Sequence, residues 1–352
     1  VTGPDEVLAL EQVDAERRWA WQELCVRAGA GYFAGPVWAT AWYQTFGREA
    51  ATRIAWWGSA QRPEAIAAMI RVGEPVLPGR ARPSIPAWHN LGSGVGGADH
   101  LAFPSVPSRR DDALSWARSL PGSVRLDHLD PTWAHALGRL GRSEPSRTRT
   151  YAVEVEPGAR PGSKKLWKHI VRSRRQLVER GVAFDVHVGP ELDRGLLTQL
   201  FSLHGIRSDR AGRHTTFTAD RLDFHHRLAE RSTPVHCSFL VAARLDGALV
   251  GALYGFADPS RLHYYQSGWD PAFEKASLGS VLIGDAIELC TRRGATTFDF
   301  LRGDEPYKLR FGAEVHEDVS VLLGTGASGV ALRARDELAE RLARRRLSRD
   351  DG

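Results

Sequence analysis

Phe298-Asp-Phe-Leu-Arg-Gly-Asp-Glu-Pro-Tyr-Lys-Leu-Arg-Phe-Gly312 changes character halfway along. It begins as an apolar strand, 296–301, in which Asp299 is tolerable only if hydrogen-bonded. It then becomes a charged turn carrying Arg302, Asp304, Glu305, Tyr307 and Lys308. Upstream, residues 278–293 form a largely apolar stretch closed by Gly294, which reads as a helix. Three strand-like runs precede it: 238–244, 248–256 and 262–267. Asp246-Gly247 joins the first two as a hairpin turn. The order strand, helix, strand makes 262–267 and 296–301 parallel neighbours linked by a right-handed crossover. Antiparallel strands with one such crossover define an α+β domain. Ligands of sheets with parallel strands gather at the strands' carboxyl ends, which is where the charged turn falls.

The start of the 278–293 helix is a second signal. It reads Lys275-Ala-Ser-Leu-Gly-Ser-Val, with Ser277 as the expected N-cap and no acidic residue before Asp285. Helix starts normally attract carboxylates. One left bare and lined by small residues such as Gly279 suits a phosphate, although a packing glycine behind an ordinary serine cap reads equally from these residues. A basic helix, 163–180, places Lys165, Lys168, Arg172 and Arg175 on one stripe. That stripe is either a solvated face or an electropositive wall for an anionic donor or carrier.

Further out, the first half opens with a helix from Asp5 through Leu24 and a second from Pro36. A hairpin of 52–57 and 65–72 follows, and 73–112 reads as mostly loop. Then come a helix at 112–120, a strand at 123–129 and a helix at 131–140. The polar joint 141–149 marks a boundary. Beyond it lie strands at 150–155 and 182–188, helices at 190–207 and 219–231, a last strand at 315–323 and a terminal helix at 329–347. The expected division is 1–148, 149–325 and a helical tail, 326–352. No sequence repeat relates the halves.

Composition narrows the function. With 42% hydrophobic and 25% charged residues, the chain is not disordered. Three scattered cysteines and no HExxH or CxxC spacing give no disulfide framework and no expected metal. Cys237 has no neighbouring base to make it a nucleophile. A net charge of +5 is too small to imply nucleic acid by itself. No apolar run is long enough to span a membrane and no leader pattern is visible; the sparse, scattered cysteines suit a reducing cytoplasm, the expected location. Gly92-Ser-Gly-Val-Gly-Gly97 satisfies GxGxxG but lacks the strand–helix setting of a dinucleotide site. It reads as a surface loop.

The run 298–312, the upstream His263-Tyr-Tyr-Gln-Ser-Gly-Trp-Asp-Pro, the Ser277-Leu-Gly helix start, Arg174-Arg-Gln-Leu-Val-Glu-Arg-Gly181 and Pro36-Val-Trp-Ala-Thr-Ala-Trp-Tyr-Gln-Thr-Phe-Gly together resemble the CelD-like branch of the GNAT acyltransferase superfamily, which is related to the FemAB aminoacyl transferases. The resemblance spans residues 30–323. It departs from the common pattern at Phe311, where a Trp often stands. It implies tandem GNAT-like domains, each a mixed, mostly antiparallel sheet flanked by helices, the first degenerate and the second holding the donor. The implied reaction moves an acyl group from a thioester, acyl-CoA first, to an amine of a small molecule or peptide. FemAB relatives use aminoacyl-tRNA instead. An acyl carrier protein as donor, and an inactive binding module, are the remaining alternatives.

The superfamily's pyrophosphate loop maps onto Ser277, Leu278, Gly279 and Ser280, although its usual Arg/Gln-x-x-Gly-x-Gly/Ala form is not matched. Lys308 is assigned to the donor as well, or with Arg302 to an acceptor carboxylate or to positioning Asp304. Because an amine attacks only when neutral, a base must take its proton. Asp304, Tyr265 and His263 are the candidates. Backbone N–H groups near Gln266–Trp269 would serve the oxyanion.

Overall fold

The computed structural model describes residues 1–77, 83–133, 136–137, 146–210, 218–324 and 326–350. Chain contacts divide into two units. The first comprises Val1–Pro36, Phe46–Thr148 and Asp318–Gly352, and the second Val37–Thr45 and Arg149–Glu317. Each is a mixed, mostly antiparallel sheet with helices against it, so the α+β expectation holds. The expected 149–325 domain and separate tail differ from this division. β12 (Glu314–Leu323) pairs with β5 (Ser123–Leu129) through Val319–Leu323, which takes the chain from Asp318 onward into the first unit.

In the first unit the sheet order is β1 (Glu6–Leu8), β2 (Thr52–Gly58), β3 (Pro63–Pro75), β4 (Ser84–Asn90), β5, β12. β1 and β4 replace sequence that reads as helix and loop. The first long helix, Ala15–Ala28, is capped by Asp14, whose side chain accepts from the Arg17 N–H at 2.8 Å, and not by Asp5. β4 forms despite Pro86 because its parallel pairing with β5 covers only Ala87–His89. The missing proline N–H therefore costs no bond on that side.

In the second unit the order is β6 (Ser146–Glu154), β11 (Thr297–Arg302), β10 (Arg261–Trp269), β9 (Ala248–Ala257), β8 (Cys237–Leu245), β7 (Ala183–Val188). The β8–β9 turn has Asp246 at φ 51° and Gly247 at φ 81°, the paired left-handed residues that a two-residue hairpin requires. β10 and β11 are parallel, as the crossover rule demands. Between them runs the helix Leu278–Arg292, which packs on β8–β11 and on the basic helix Lys164–Glu179. Its buried face, Leu278, Val281, Leu282, Ala286 and Ile287, joins Leu166, Trp167 and Ile170 in the core.

Candidate active site

β10 and β11 pair at only three positions: Arg261 with Thr297, Leu262 with Phe298, and His263 with Asp299. β10 continues six residues further and β11 three, each with a register shift directly after the last pair, at Tyr264/Gln266 and Asp299/Leu301. Leu301 has φ 58°. The parallel strands thus part after His263, leaving an opening in the hydrogen-bonded ladder above the Leu278–Arg292 helix.

His263 sits at that fork, fully buried, with Nε2 3.0 Å from Asp258 and Nδ1 3.6 Å from Asp299. Burial opposes its charge, but the two carboxylates prevail and raise its pKa. Asp258 likewise overcomes its burial and stays well below the usual carboxylate range, held by His263 and Ser260. The His263 ring is enclosed by the two carboxylates and shielded from solvent. His263 is therefore turned to its carboxylates, pinning the fork. Tyr265 goes elsewhere too. Its ring lies 4.9 Å from that of His225 and 5.2 Å from Phe256, in an aromatic nest where burial pushes His225 down to about 3.

The charged turn is held from beneath. Lys308 is buried, and its Nζ donates to the carbonyls of Leu301, Arg302 and Gly303 at 3.3, 2.7 and 2.8 Å, with Glu305 at 3.0 Å. Those contacts satisfy carbonyls at the end of β11 and engage the Lys308 ammonium within the turn. Asp304 is exposed and accepts from the Tyr151 hydroxyl at 2.6 Å. The bond raises the tyrosine's pKa. Lys308 lies 5.1 Å over the same ring. Arg302 is half-buried beside this group. Tyr151 was not legible in sequence, because only the β6–β11 register, Tyr151 with Leu301, brings it there.

Ser277, Leu278, Gly279 and Ser280 do form the first turn of the crossover helix, which contains no acidic residue. Ser277 is not a side-chain cap. It adopts φ 57°, and its Oγ shares a 2.9 Å hydrogen bond with Nε2 of His169. Gly279 is explained by packing, since a Cβ there would meet the Trp269 ring at 2.8 Å. His169 extends from the basic helix. Next to it a hollow of about 540 Å³ is lined by Arg160, Lys164, Trp167, Lys168, Val171, Arg172 and Arg175, with no acidic residue. Lys165 of the expected stripe lies outside that lining. The 92–97 glycine run is turn and bend.

Residues 164–309 match the family model described as Acetyltransferase (GNAT) domain. The second unit therefore carries a GNAT acyltransferase domain, and the protein is an acyltransferase. No curated protein matches the chain in sequence. Among solved structures, FemX is similar at TM-score 0.64 and 12% identity, covering 86% of this chain and 95% of that one. The C-terminal domain of a putative lysylphosphatidylglycerol synthetase from Agrobacterium fabrum gives 0.57 and 10%, covering 91% and 95%. L-PGS from Bacillus licheniformis gives 0.55 and 10%, covering 92% and 96%. At these identities the likeness is one of fold. Among the described residues, no helix is long and apolar enough to cross a membrane.

Proposed function

We propose that the second unit transfers an acyl group from a thioester, acyl-CoA first, to an amine. The observation that carries this reading is the fork between β10 and β11, with β10 running on to Trp269 against a helix start free of acidic residues. The fork offers backbone groups to an extended thioester arm. Helix N–H dipoles at Leu278, Gly279 and Ser280 suit the donor's phosphates, and the cationic hollow beside His169 adds attraction at longer range.

Asp304 is exposed at the charged turn, and the Tyr151 hydroxyl fixes its orientation, whereas the exposed Glu305 is paired with Lys308. Asp304 takes the proton of the incoming ammonium group. The neutral amine then attacks the thioester carbon, and the oxyanion is held by β10 N–H groups beyond His263. The C–S bond breaks as the C–N bond stands, and the thiolate leaves with a proton. Arg302 orients an acceptor carboxylate where there is one.

A second reading is aminoacyl transfer from tRNA. The row of five cations around Trp167 favours it, since phosphate neutralisation dominates nucleic-acid affinity. A titration separates the two. On the first reading, an acyl-CoA at 10–100 times its Kd raises stability by about 1.4–2.7 kcal/mol, and RNA does not. Stabilisation by aminoacyl-tRNA that fades steeply with salt, with none from CoA esters, reverses the assignment.

A further inference from the structure

We propose that Asp99, His128 and Asp318 hold a first-row divalent metal ion in the first unit, at a site independent of acyl transfer. One donor atom from each residue lies within 4.8 Å of the other two. Donors about one ion stand roughly 3–4 Å apart when each bond is about 2.1 Å, so small side-chain rotations close the set. Asp99 and Asp318 are 1% and 0% exposed, and His128 is half-buried. A divalent ion between these two buried carboxylates adds to the effect of His100, 2.8 Å from Asp318 Oδ1, in offsetting their repulsion.

The surroundings resemble the outer layer of a metal site, in which ligating carboxylates are themselves hydrogen-bonded. His100 donates its backbone N–H to Asp318 Oδ2 at 2.7 Å, and its Nδ1 lies 2.8 Å from Oδ1. Two Asp-His-Leu tripeptides, 99–101 and 127–129, are bridged in parallel at Leu101 and Leu129. Leu101 N–H donates to the His128 carbonyl at 2.7 Å, and His128 N–H to Ser320 Oγ at 2.9 Å. Both histidines are left-handed, with φ 50° and 49°. The donors come from three distant segments, so no metal spacing is visible in sequence. Two carboxylate oxygens and one imidazole nitrogen suit Zn²⁺, Co²⁺ or Mn²⁺. Ca²⁺ wants six or more oxygens.

The test is a Co²⁺ titration of the chelator-stripped full chain, read by visible absorption, with Tm measured in Zn²⁺, Mn²⁺ and chelator. One equivalent should develop d–d bands and raise Tm. Asp99→Asn and His128→Gln, folded in chelator as the wild type is, should each weaken Co²⁺ binding at least ~10–100-fold. Asp318→Asn risks unfolding, and the half-buried His128 supplies the variant that does not depend on it. Absence of both bands and Tm shift in the folded wild type overturns the site. So does undiminished binding in Asp99→Asn and His128→Gln, which would place the ion elsewhere. Neither result bears on the β10–β11 fork.

Discussion

Both units contain a parallel strand pair joined by a crossover helix, and both pairs hold for three positions. In the first unit Ala87, Trp88 and His89 of β4 face Ser123, Val124 and Arg125 of β5. In the second, Arg261, Leu262 and His263 of β10 face Thr297, Phe298 and Asp299 of β11. The third paired residue of each leading strand is a histidine bracketed by two carboxylates: Glu74 at 3.0 Å and Asp127 at 3.7 Å for His89, Asp258 at 3.0 Å and Asp299 at 3.6 Å for His263. The helices between them differ. Arg110–Ser119 begins with Asp111 and Asp112, and Asp112 accepts from the Thr2 N–H at 2.9 Å and from Arg109 at 3.1 Å. Leu278–Arg292 has no acid in its first turn. One helix start is occupied by the chain's own carboxylates, and the other is left open. The difference teaches that the shared framework makes the fork, while the choice of first-turn residues decides whether an anion can use it.

The largest effect should come from the charged turn. Asp304→Asn should lower kcat by about 10²–10⁴-fold with donor Kd unchanged, the range for losing a general base. Steady-state kinetics and calorimetry with the same acyl-CoA separate the two quantities. Loss of donor affinity or of folding in this variant would make the cluster a structural turn.

Next is the fork's pin. His263→Gln leaves Asp258 and Asp299 buried around a neutral amide and should destabilise the protein by about 3–5 kcal/mol, measured by urea unfolding. At a temperature where it remains folded, its pH–rate profile should keep the wild-type shape, because His263 does not handle the substrate proton. A profile that loses a limb would restore it as a base.

Giving the second helix the kind of start the first already has is the direct test of the comparison. Ser280→Asp should weaken acyl-CoA binding by about 1.5–3 kcal/mol, the worth of a hydrogen bond to a charged group, with Tm little changed. Ser280 is preferable to Gly279, where any side chain strikes Trp269. Donor binding undiminished in Ser280→Asp would move the phosphates away from this helix, toward the basic hollow.

The sequence announced the second unit better than the first. Asp246-Gly247, Gly294 and the apolar run between them and Phe300 are local signals, and the hairpin, crossover helix and parallel pair follow from them. β4 escaped because two prolines masked it, and only the neighbouring β3 and β5 show that they stand at its exposed end. The helix start and the turn were legible as residue types, but their division of labour was not. Lys308 and His263 have the chemistry of site residues, and only burial reveals one as a cap on carbonyls and the other as a clamp. Tyr151 and His169 carried no signal, since register and helix packing alone deliver them. The duplicated histidine clamp is likewise absent from any sequence repeat. Its carboxylates come from non-equivalent offsets: Glu74 precedes His89 by a strand, whereas Asp258 is five residues before His263.

The smallest expected effect tests whether the two clamps are equivalent. Burial opposes the charge on His89 as on His263, and Asp127 and Glu74 outweigh it to raise the pKa. Glu74, however, has other cations: Arg125 at 2.8 Å and Arg335 at 2.6 Å. Against its burial, His89 and Arg125 lower its pKa to about 2. Removing His89 therefore leaves Glu74 paired at 2.6 and 2.8 Å, whereas removing His263 leaves Asp299 with the longer Arg261 contact, 3.6 Å. His89→Gln should cost about 1–2 kcal/mol, near the lower end for orphaning a buried acceptor. The pH dependence has the same sign for both. A histidine whose folded pKa exceeds about 6.5 binds more protons folded than unfolded. Its stabilisation is full below pH ~6.5 and is lost as pH rises through the folded value. The difference in unfolding free energy between wild type and either variant should accordingly shrink from pH 6 to pH 9, starting from a smaller value for His89→Gln. Equal differences at pH 6 would mean that Arg125 and Arg335 do not share the load, and a difference that grew with pH would show that the histidines are buried neutral.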